Sequence, residues 1–325
     1  MQQSFAKEIA LDTVVRPESI LVATDRTDMD LLTPFAVAQA KASNARLTLV
    51  SAITPGDNVP VDSASPYIDM VKVEREVRKS LRDQAAVIEA QGVACDMYVE
   101  CGTAVDVVTG ELRRTGAQRL IMGTHGRGKL GRLTLGSVAG GLLSTVQIPV
   151  FAIGPHAYGL CIEVTPRRIL HPVSLEGDYR RGVQFAIELA KMNRAELTLM
   201  LVLNRKDSKD VNPERSLEWG ENALRELVPG ASVLERPMQV KAVFGKVADE
   251  VCTMAEKISA DLIVIGVSGT IHLSPLAENT AYKVLARAEC PVITAPHDAE
   301  VDPSLKERSK VPEMQLAGVR AESGY

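Results

Sequence analysis

Gly123, Gly126, Gly136 and Ser137 lie where a strand-like run, Arg119-Leu120-Ile121-Met122, gives way to a helix-like run from Leu135 to Val146. Glycine lets backbone approach a ligand with no Cβ in the way. A helix that opens at Gly136-Ser137-Val138 presents unpaired N–H groups and the positive end of its dipole. Together these make a phosphate site. Ser137 can offer its hydroxyl and N–H to a phosphate, a role compatible with capping the helix. His125 sits inside the loop. No motif places a carboxylate or nucleophile beside it, so a phosphate contact or a structural role fits better than a catalytic base. Arg127, Lys129 and Arg132 make the loop basic. Such charges usually form a solvated face, but beside a triphosphate they would screen its charge.

Two better-known glycine motifs overlap this loop, and neither fits. Gly126 to Gly131 spells G-x-G-x-x-G, but a dinucleotide fingerprint follows the first strand of its unit and opens directly into a helix. Here it follows the fourth strand and continues as loop. Gly123 to Lys129 nearly spells a P-loop, yet the next residue is Leu130, so the Mg²⁺-binding hydroxyl is missing.

The elements that must position this loop occur twice. Ile20-Leu21-Val22-Ala23-Thr24-Asp25 returns as Ile169-Leu170-His171-Pro172-Val173-Ser174, and Ala45 to Val50 returns as Ala195 to Met200. Gly102 to Asp106 returns as Gly245 to Asp249, Leu120 to Gly123 as Ile263 to Gly266, and Ile148-Pro149-Val150 as Cys290-Pro291-Val292. The order is kept over a period of about 145 residues. That is too long for a solenoid repeat and reads as a domain duplication. In copy one, strands are expected near 19–25, 46–53, 94–100, 118–123 and 148–153, and helices near 28–43, 67–91, 103–116 and 135–146. Gly92 should end the second of these helices. Alternating strands and helices predict an α/β fold with a parallel sheet covered on both faces. In such a sheet the ligand crevice lies at the carboxyl ends of the strands, where Asp25 and Gly123 both fall. Asp25 would accept a ligand hydrogen bond there, or else cap the helix starting near Asp28. Met122 and Ala52 are candidate apolar walls of the same pocket, or ordinary core. His171 replaces Val22 inside a strand and reads as a hydrogen-bonded core histidine.

With 325 residues the chain holds about two domains. Its 46% hydrophobic and 24% charged residues are ordinary for a globular protein. Only 4% is aromatic and the net charge is −4, which argues against nucleic acid as a partner. No run reaches a membrane span and the N-terminus lacks a signal-peptide pattern. The five cysteines form no C-x-x-C pair and are odd in number, which suits a reducing cytoplasm. Cys95 and Cys101 flank one strand as conceivable redox partners, although buried thiols are the plainer reading. No His/Cys cluster has metal spacing.

These residues resemble the universal stress protein superfamily, in tandem. Its ATP-binding members carry G-x2-G-x9-G-[ST] after the fourth strand and an Asp at the end of the first; Gly123, Gly126, Gly136, Ser137 and Asp25 match in full. The resemblance implies two doubly wound five-stranded parallel sheets of order 3-2-1-4-5. It implies an adenine nucleotide, ATP with or without Mg²⁺, with its base near Asp25 and Ala52 and its phosphates on the loop. It also implies pairing through the last strand, hence an intramolecular pseudo-dimer and conceivably a homodimer. The expected organisation is a first domain over 1–156, a second over 157–297 and a polar tail over 298–325. A linker of about fourteen residues can span roughly 45 Å if extended, enough for the copies to meet. Copy two departs from the pattern: Gly266 and Gly269 remain, but Asn279 and Thr280 stand at the third glycine and Ser, Ser174 stands at the Asp, and Pro275 lies within the loop. The resulting expectation is a cytoplasmic nucleotide-binding stress or signalling protein. A slow ATPase or phosphotransferase, and an interaction module that needs no nucleotide, are the competing readings.

The two loops should therefore differ in affinity. Copy two should bind the nucleotide at least ~10-fold more weakly, about 1.4 kcal/mol, roughly one hydrogen bond to a charged group. Calorimetric titration should resolve one strong site; two equal sites would refute the expectation.

Overall fold

A computed structural model of the chain describes residues 11–54, 70–124, 135–157, 164–175, 179–204, 212–228, 234–266 and 280–295. Copy one runs α1 (Leu11–Val15), β1 (Ser19–Ala23), α2 (Met29–Ser43), β2 (Arg46–Ile53), α3 (Met70–Glu89), β3 (Cys95–Cys101), α4 (Ala104–Thr115), β4 (Arg119–Gly123), α5 (Ser137–Thr145) and β5 (Val150–Ile153). Copy two runs β6 (Arg168–Val173), α6 (Arg180–Asn193), β7 (Glu196–Leu203), α7 (Pro213–Glu226), β8 (Met238–Phe244), α8 (Val247–Ile258), β9 (Leu262–Gly266), α9 (Thr280–Arg287) and β10 (Val292–Ala295). The expected elements of copy one are present, within a few residues at each end. Helix α1 has no counterpart in the sequence reading.

The ten strands of the described residues form one sheet, ordered β3-β2-β1-β4-β5-β10-β9-β6-β7-β8. Counted from the outer edge to the middle, each copy has the order 3-2-1-4-5. Pairs within each copy are parallel. At the middle β5 and β10 pair antiparallel, Val292 opposite Ala152 and Ile293 opposite Phe151. The carboxyl edges of the two copies therefore face opposite sides of the molecule.

Buried strands carry apolar side chains on both faces, and alternate residues feed two separate cores. Ile20 and Val22 belong to the core lined by α1, α2, α3, α6 and α7, whereas Leu21 belongs to the core lined by α4, α5, α8 and α9. Each core runs across the middle of the sheet: Phe151 and Ile293 share one, Ala152 and Val292 the other. The duplication is visible in the backbone too. Helices α2 and α6 both end on a left-handed residue, Asn44 at φ 53° and Arg194 at φ 50°. The next N–H then returns to the helix, Ala45 to the Ala40 carbonyl and Ala195 to the Ala190 carbonyl. Gly92, at φ 83°, closes α3 as expected. Cys95 and Cys101 are the two ends of β3. Six residues of extended strand separate them by about 20 Å, too far for a disulfide.

The copies differ at their central strand. The β1–β4 ladder has four rungs, from Ile20–Arg119 to Ala23–Met122, but the β6–β9 ladder has only two, Ile169–Leu262 and Leu170–Ile263. The Thr24 N–H donates toward β2, to the Val50 carbonyl. N–H groups alternate sides along a strand, so that of Ala23 faces β4. Pro172 takes the place of Ala23 and has no N–H to give. His171 Nδ1 fills the gap, 2.8 Å from the Val264 carbonyl. The ring is 2% exposed, and burial, only partly offset by that hydrogen bond, pushes its pKa down to about 4.

His171 thus stays neutral in the folded chain while the unfolded chain takes up a proton near pH 6.5. A folded pKa below the unfolded one contributes stability that is present above pH 6.5 and lost as pH falls toward 4. The loss can reach about 3 kcal/mol. His171→Asn keeps a donor and removes the titration, so the wild-type-minus-variant stability difference should shrink over that window. A difference that is flat with pH in denaturant melts would contradict this.

Candidate functional site

Strands β1 and β4 end side by side. Continuing their register past Ala23–Met122 brings Thr24 level with Gly123, and the β1–β2 register brings Asp25 level with Ala52. The expected residues of the first turn and of the two strand ends therefore gather at one edge. Met122 is 2% exposed and lies in the core beneath α4 and α5, with Ala52 half-buried against the same core. Met122 thus acts mainly as core, and Ala52 is the more accessible of the two.

The glycine loop leaves and returns at nearly one point. Thr124, which follows β4, is buried and held by its N–H on the Ile153 carbonyl at 3.0 Å. The Gly136 N–H donates to the Thr124 carbonyl, also at 3.0 Å. A Cβ on Gly136 would sit 3.1 Å from that carbonyl oxygen, a tight contact that glycine avoids. Gly136 then caps α5 in extended conformation, with φ −60° and ψ 150°. The first bond of the helix runs from Gly140 N to the Gly136 carbonyl at 2.9 Å. Helix geometry leaves the N–H groups of Ser137, Val138 and Ala139 for partners outside the helix. Ser137 and Val138 are both exposed. His125, Gly126 and Arg127 lie outside the described residues, as do Lys129 and Arg132.

Asp25 does not cap α2. Its Oδ1 accepts from the Thr27 N–H at 2.8 Å and from the Thr27 hydroxyl at 2.5 Å. This is a short side-chain turn of the kind Asp forms readily. Arg26, at φ 78°, makes the turn possible and donates its N–H to Thr24 Oγ1 at 2.8 Å. The residue at the N-cap is Asp28, but its carboxyl makes no capping bond. It accepts instead from the Thr24 hydroxyl, 2.5 Å away. Asp28 is 7% exposed. Burial pushes its pKa up to about 6, the Thr24 hydrogen bond pulls the other way, and the charge of Asp25 adds to the rise. Thr24, Asp28 and Thr124 were not singled out from the sequence. The only signal for the first two was an i, i+4 Thr/Asp pair across a strand-to-helix turn.

The corresponding edge of copy two is built differently. Its strand pairing stops short at Pro172, and Ser174 and Gly266 are exposed. Gly269, Pro275 and Asn279 lie outside the described residues. Thr103 caps α4 by accepting from the Asp106 N–H at 3.2 Å. At the matching position of copy two, Lys246 makes no cap, and Asp249 pairs with Arg287 of α9. Among the described residues, no group of three His, Cys, Asp or Glu side chains could hold a metal ion, and no helix is long and apolar enough to cross a membrane.

A model of the Universal stress protein family matches this chain twice, over residues 17–154 and 165–296. Universal stress protein Sll1654 of Synechocystis sp. (strain ATCC 27184 / PCC 6803 / Kazusa) is 24% identical over 152 residues, covering 46% of this chain and 95% of that protein. The crystal structure of a universal stress protein from Archaeoglobus fulgidus DSM 4304 superposes with a TM-score of 0.68 at 19% identity, covering 88% of this chain and 99% of that one. A protein from Pseudomonas aeruginosa PAO1 superposes with a TM-score of 0.61 at 18% identity, covering 92% and 99%. At these identities the two structures establish the shared fold.

The buried Asp28 carboxyl carries its own pH signature. Its folded pKa lies above the unfolded value of 3.8, so its stabilising effect is complete below that value and is lost as pH rises through about 6. Asp28→Asn keeps the acceptor for Thr24 without the charge. The variant should match wild type near pH 4 and exceed it at neutral pH by up to about 3 kcal/mol. Equal melting temperatures of the two proteins at pH 7 would contradict it.

Proposed function

We propose, for a chain that belongs to the universal stress protein family, that copy one binds an adenine nucleotide and copy two does not bind it with comparable strength. The observation that carries this reading is the closed glycine loop. The Gly123-x2-Gly126-x9-Gly136-Ser137 spacing is complete, and the Gly136 N–H on the Thr124 carbonyl brings the loop back to the start of α5. There the first-turn N–H groups and the helix dipole favour phosphate. The base and ribose would lie toward Asp25 and Ala52, one strand over. The phosphates would lie on the loop with His125, Gly126 and Arg127, over Ser137 and Val138. The ligand would be ATP, with or without Mg²⁺.

The pairing of β5 with β10 supports a second part of the reading, that the chain is a covalent pseudo-dimer with one working site. Its role would be that of a binding protein whose nucleotide occupancy alters the surface offered to a partner.

Gly136→Val tests the reading. The added side chain would crowd the Thr124 carbonyl and fill the phosphate space. Nucleotide affinity should fall at least ~100-fold, about 2.8 kcal/mol, while the melting temperature of the nucleotide-free protein stays within a few degrees. Unchanged calorimetric affinity in a folded variant would sink the idea.

A further inference from the structure

Helix α5, whose first turn would face the phosphates, carries two adjacent glycines in its middle, Gly140 and Gly141. Glycine in a helix interior is destabilising relative to alanine, so close packing has to account for the pair. A Cβ added to Gly141 would stand 2.8 Å from Val105 Cγ2, on α4 of the same copy. A Cβ added to Gly140 would stand 2.7 Å from the Tyr282 hydroxyl oxygen and 3.5 Å from its Cε1 and Cζ. Tyr282 belongs to α9, in copy two. Its side chain crosses between the copies and ends against the backbone of α5.

The contact falls on the residue that closes the phosphate turn. The Gly140 N–H makes the first bond of α5, to the Gly136 carbonyl at 2.9 Å. The ring end therefore abuts the turn that presents the N–H groups of Ser137, Val138 and Ala139. Tyr282 is 8% exposed and shares a core with Ala139 and Leu142 of α5, which leaves the ring little room to turn aside. Helix α9 is itself held from two directions. Arg287 in its last turn pairs with Asp249 of α8, and a Cβ on Gly154, just past β5, would stand 2.8 Å from the Leu285 carbonyl oxygen. The arrangement is one-sided. Aligning Asn279-Thr280 with Gly136-Ser137 matches Tyr282 to Ala139 and the exposed Lys283 to Gly140. Helix α5 has no aromatic residue to return the contact.

We propose that Tyr282 is a positioning residue for the nucleotide site of copy one: through Gly140 it holds the first turn of α5 where its N–H groups meet phosphate. The inference rests on the nucleotide reading above, and it gives copy two a task at a site that it does not itself contain.

The test measures ATP and adenosine affinities of the full chain by calorimetry, with melting temperatures of the nucleotide-free proteins alongside. Gly140→Ala drives a Cβ into the Tyr282 hydroxyl and moves α5 aside. ATP should bind about fivefold more weakly, while adenosine, which has no phosphate, changes by less than about twofold. Adding Tyr282→Phe removes that oxygen and leaves ring carbons at 3.5 Å, an ordinary contact. ATP affinity should then return to within about twofold of wild type. Both alanine proteins have the same helix propensity, so the recovery reports the contact alone. Tyr282→Leu withdraws the ring end without adding bulk to α5 and should also weaken ATP about fivefold, which keeps the test open if the alanine variant fails to fold. Unchanged ATP affinity in folded Gly140→Ala or Tyr282→Leu chains, or equal losses for ATP and adenosine, would overturn the inference and leave the nucleotide reading standing. A wild-type chain that binds no ATP would overturn both.

Discussion

Phe151 and Ile293 stand opposite each other where β5 meets β10, and the rest of the architecture follows from that short antiparallel contact. A four-residue strand at the edge of a sheet leaves unpaired N–H and C=O groups exposed. Here each fifth strand covers the other, and the Thr294 hydroxyl oxygen takes up the Val150 N–H at 2.8 Å. Backbone bonds of this kind add about 1 kcal/mol each; the larger gain is apolar. Phe151 packs against Phe35, with ring centroids 5.6 Å apart, in one core. Ala152 and Val292 continue the other core across the same junction. The pairing also has a geometric consequence. Antiparallel joining sends the carboxyl edges of the two copies to opposite sides, so the two edges can diverge in sequence without disturbing each other.

They have diverged. In copy one, the Thr24 hydroxyl on Asp28 and the Gly136 N–H on Thr124 brace the ends of β1 and β4. The edge is held by polar contacts between the groups that would surround a phosphate and a base. In copy two a proline interrupts the central ladder, and a histidine side chain supplies the missing donor. That repair keeps Val264 satisfied inside the sheet. Two copies of one fold therefore put different chemistry at equivalent places: the buried Arg119 against Leu262, a capping threonine against an uncapped lysine, an aspartate against a serine.

Much of this could be read from residue order, because parallel strands buried on both faces announce themselves as apolar runs and the duplication repeats them in sequence. The closing glycine was legible because Gly136-Ser137 opens a helix-like run and stands at the spacing of the family's motif. What could not be read were features set by contacts distant in sequence. Arg119 looks like an ordinary charged residue at a strand start; its burial depends on α1 and Gln39 arriving from elsewhere. His171 could be read as core, but not as the substitute for a Pro172 N–H, which needs the register of β6 on β9. In sequence Asp25 reads equally well as a cap for α2, whereas its carboxylate turns back on Thr27 and a second acid, Asp28, holds the cap position.

The central claim is that one edge of this molecule, that of copy one, holds the nucleotide. Photolabelling the full chain with an azido-adenine analogue of ATP, followed by peptide mapping, tests it most directly. The account predicts label on peptides spanning the ends of β1, β2 and β4, around Asp25, Ala52 and Gly123, and its loss in the presence of excess ATP. Equal labelling of the peptides around Ser174 and Gly266, or labelling that excess ATP leaves unchanged, would contradict it.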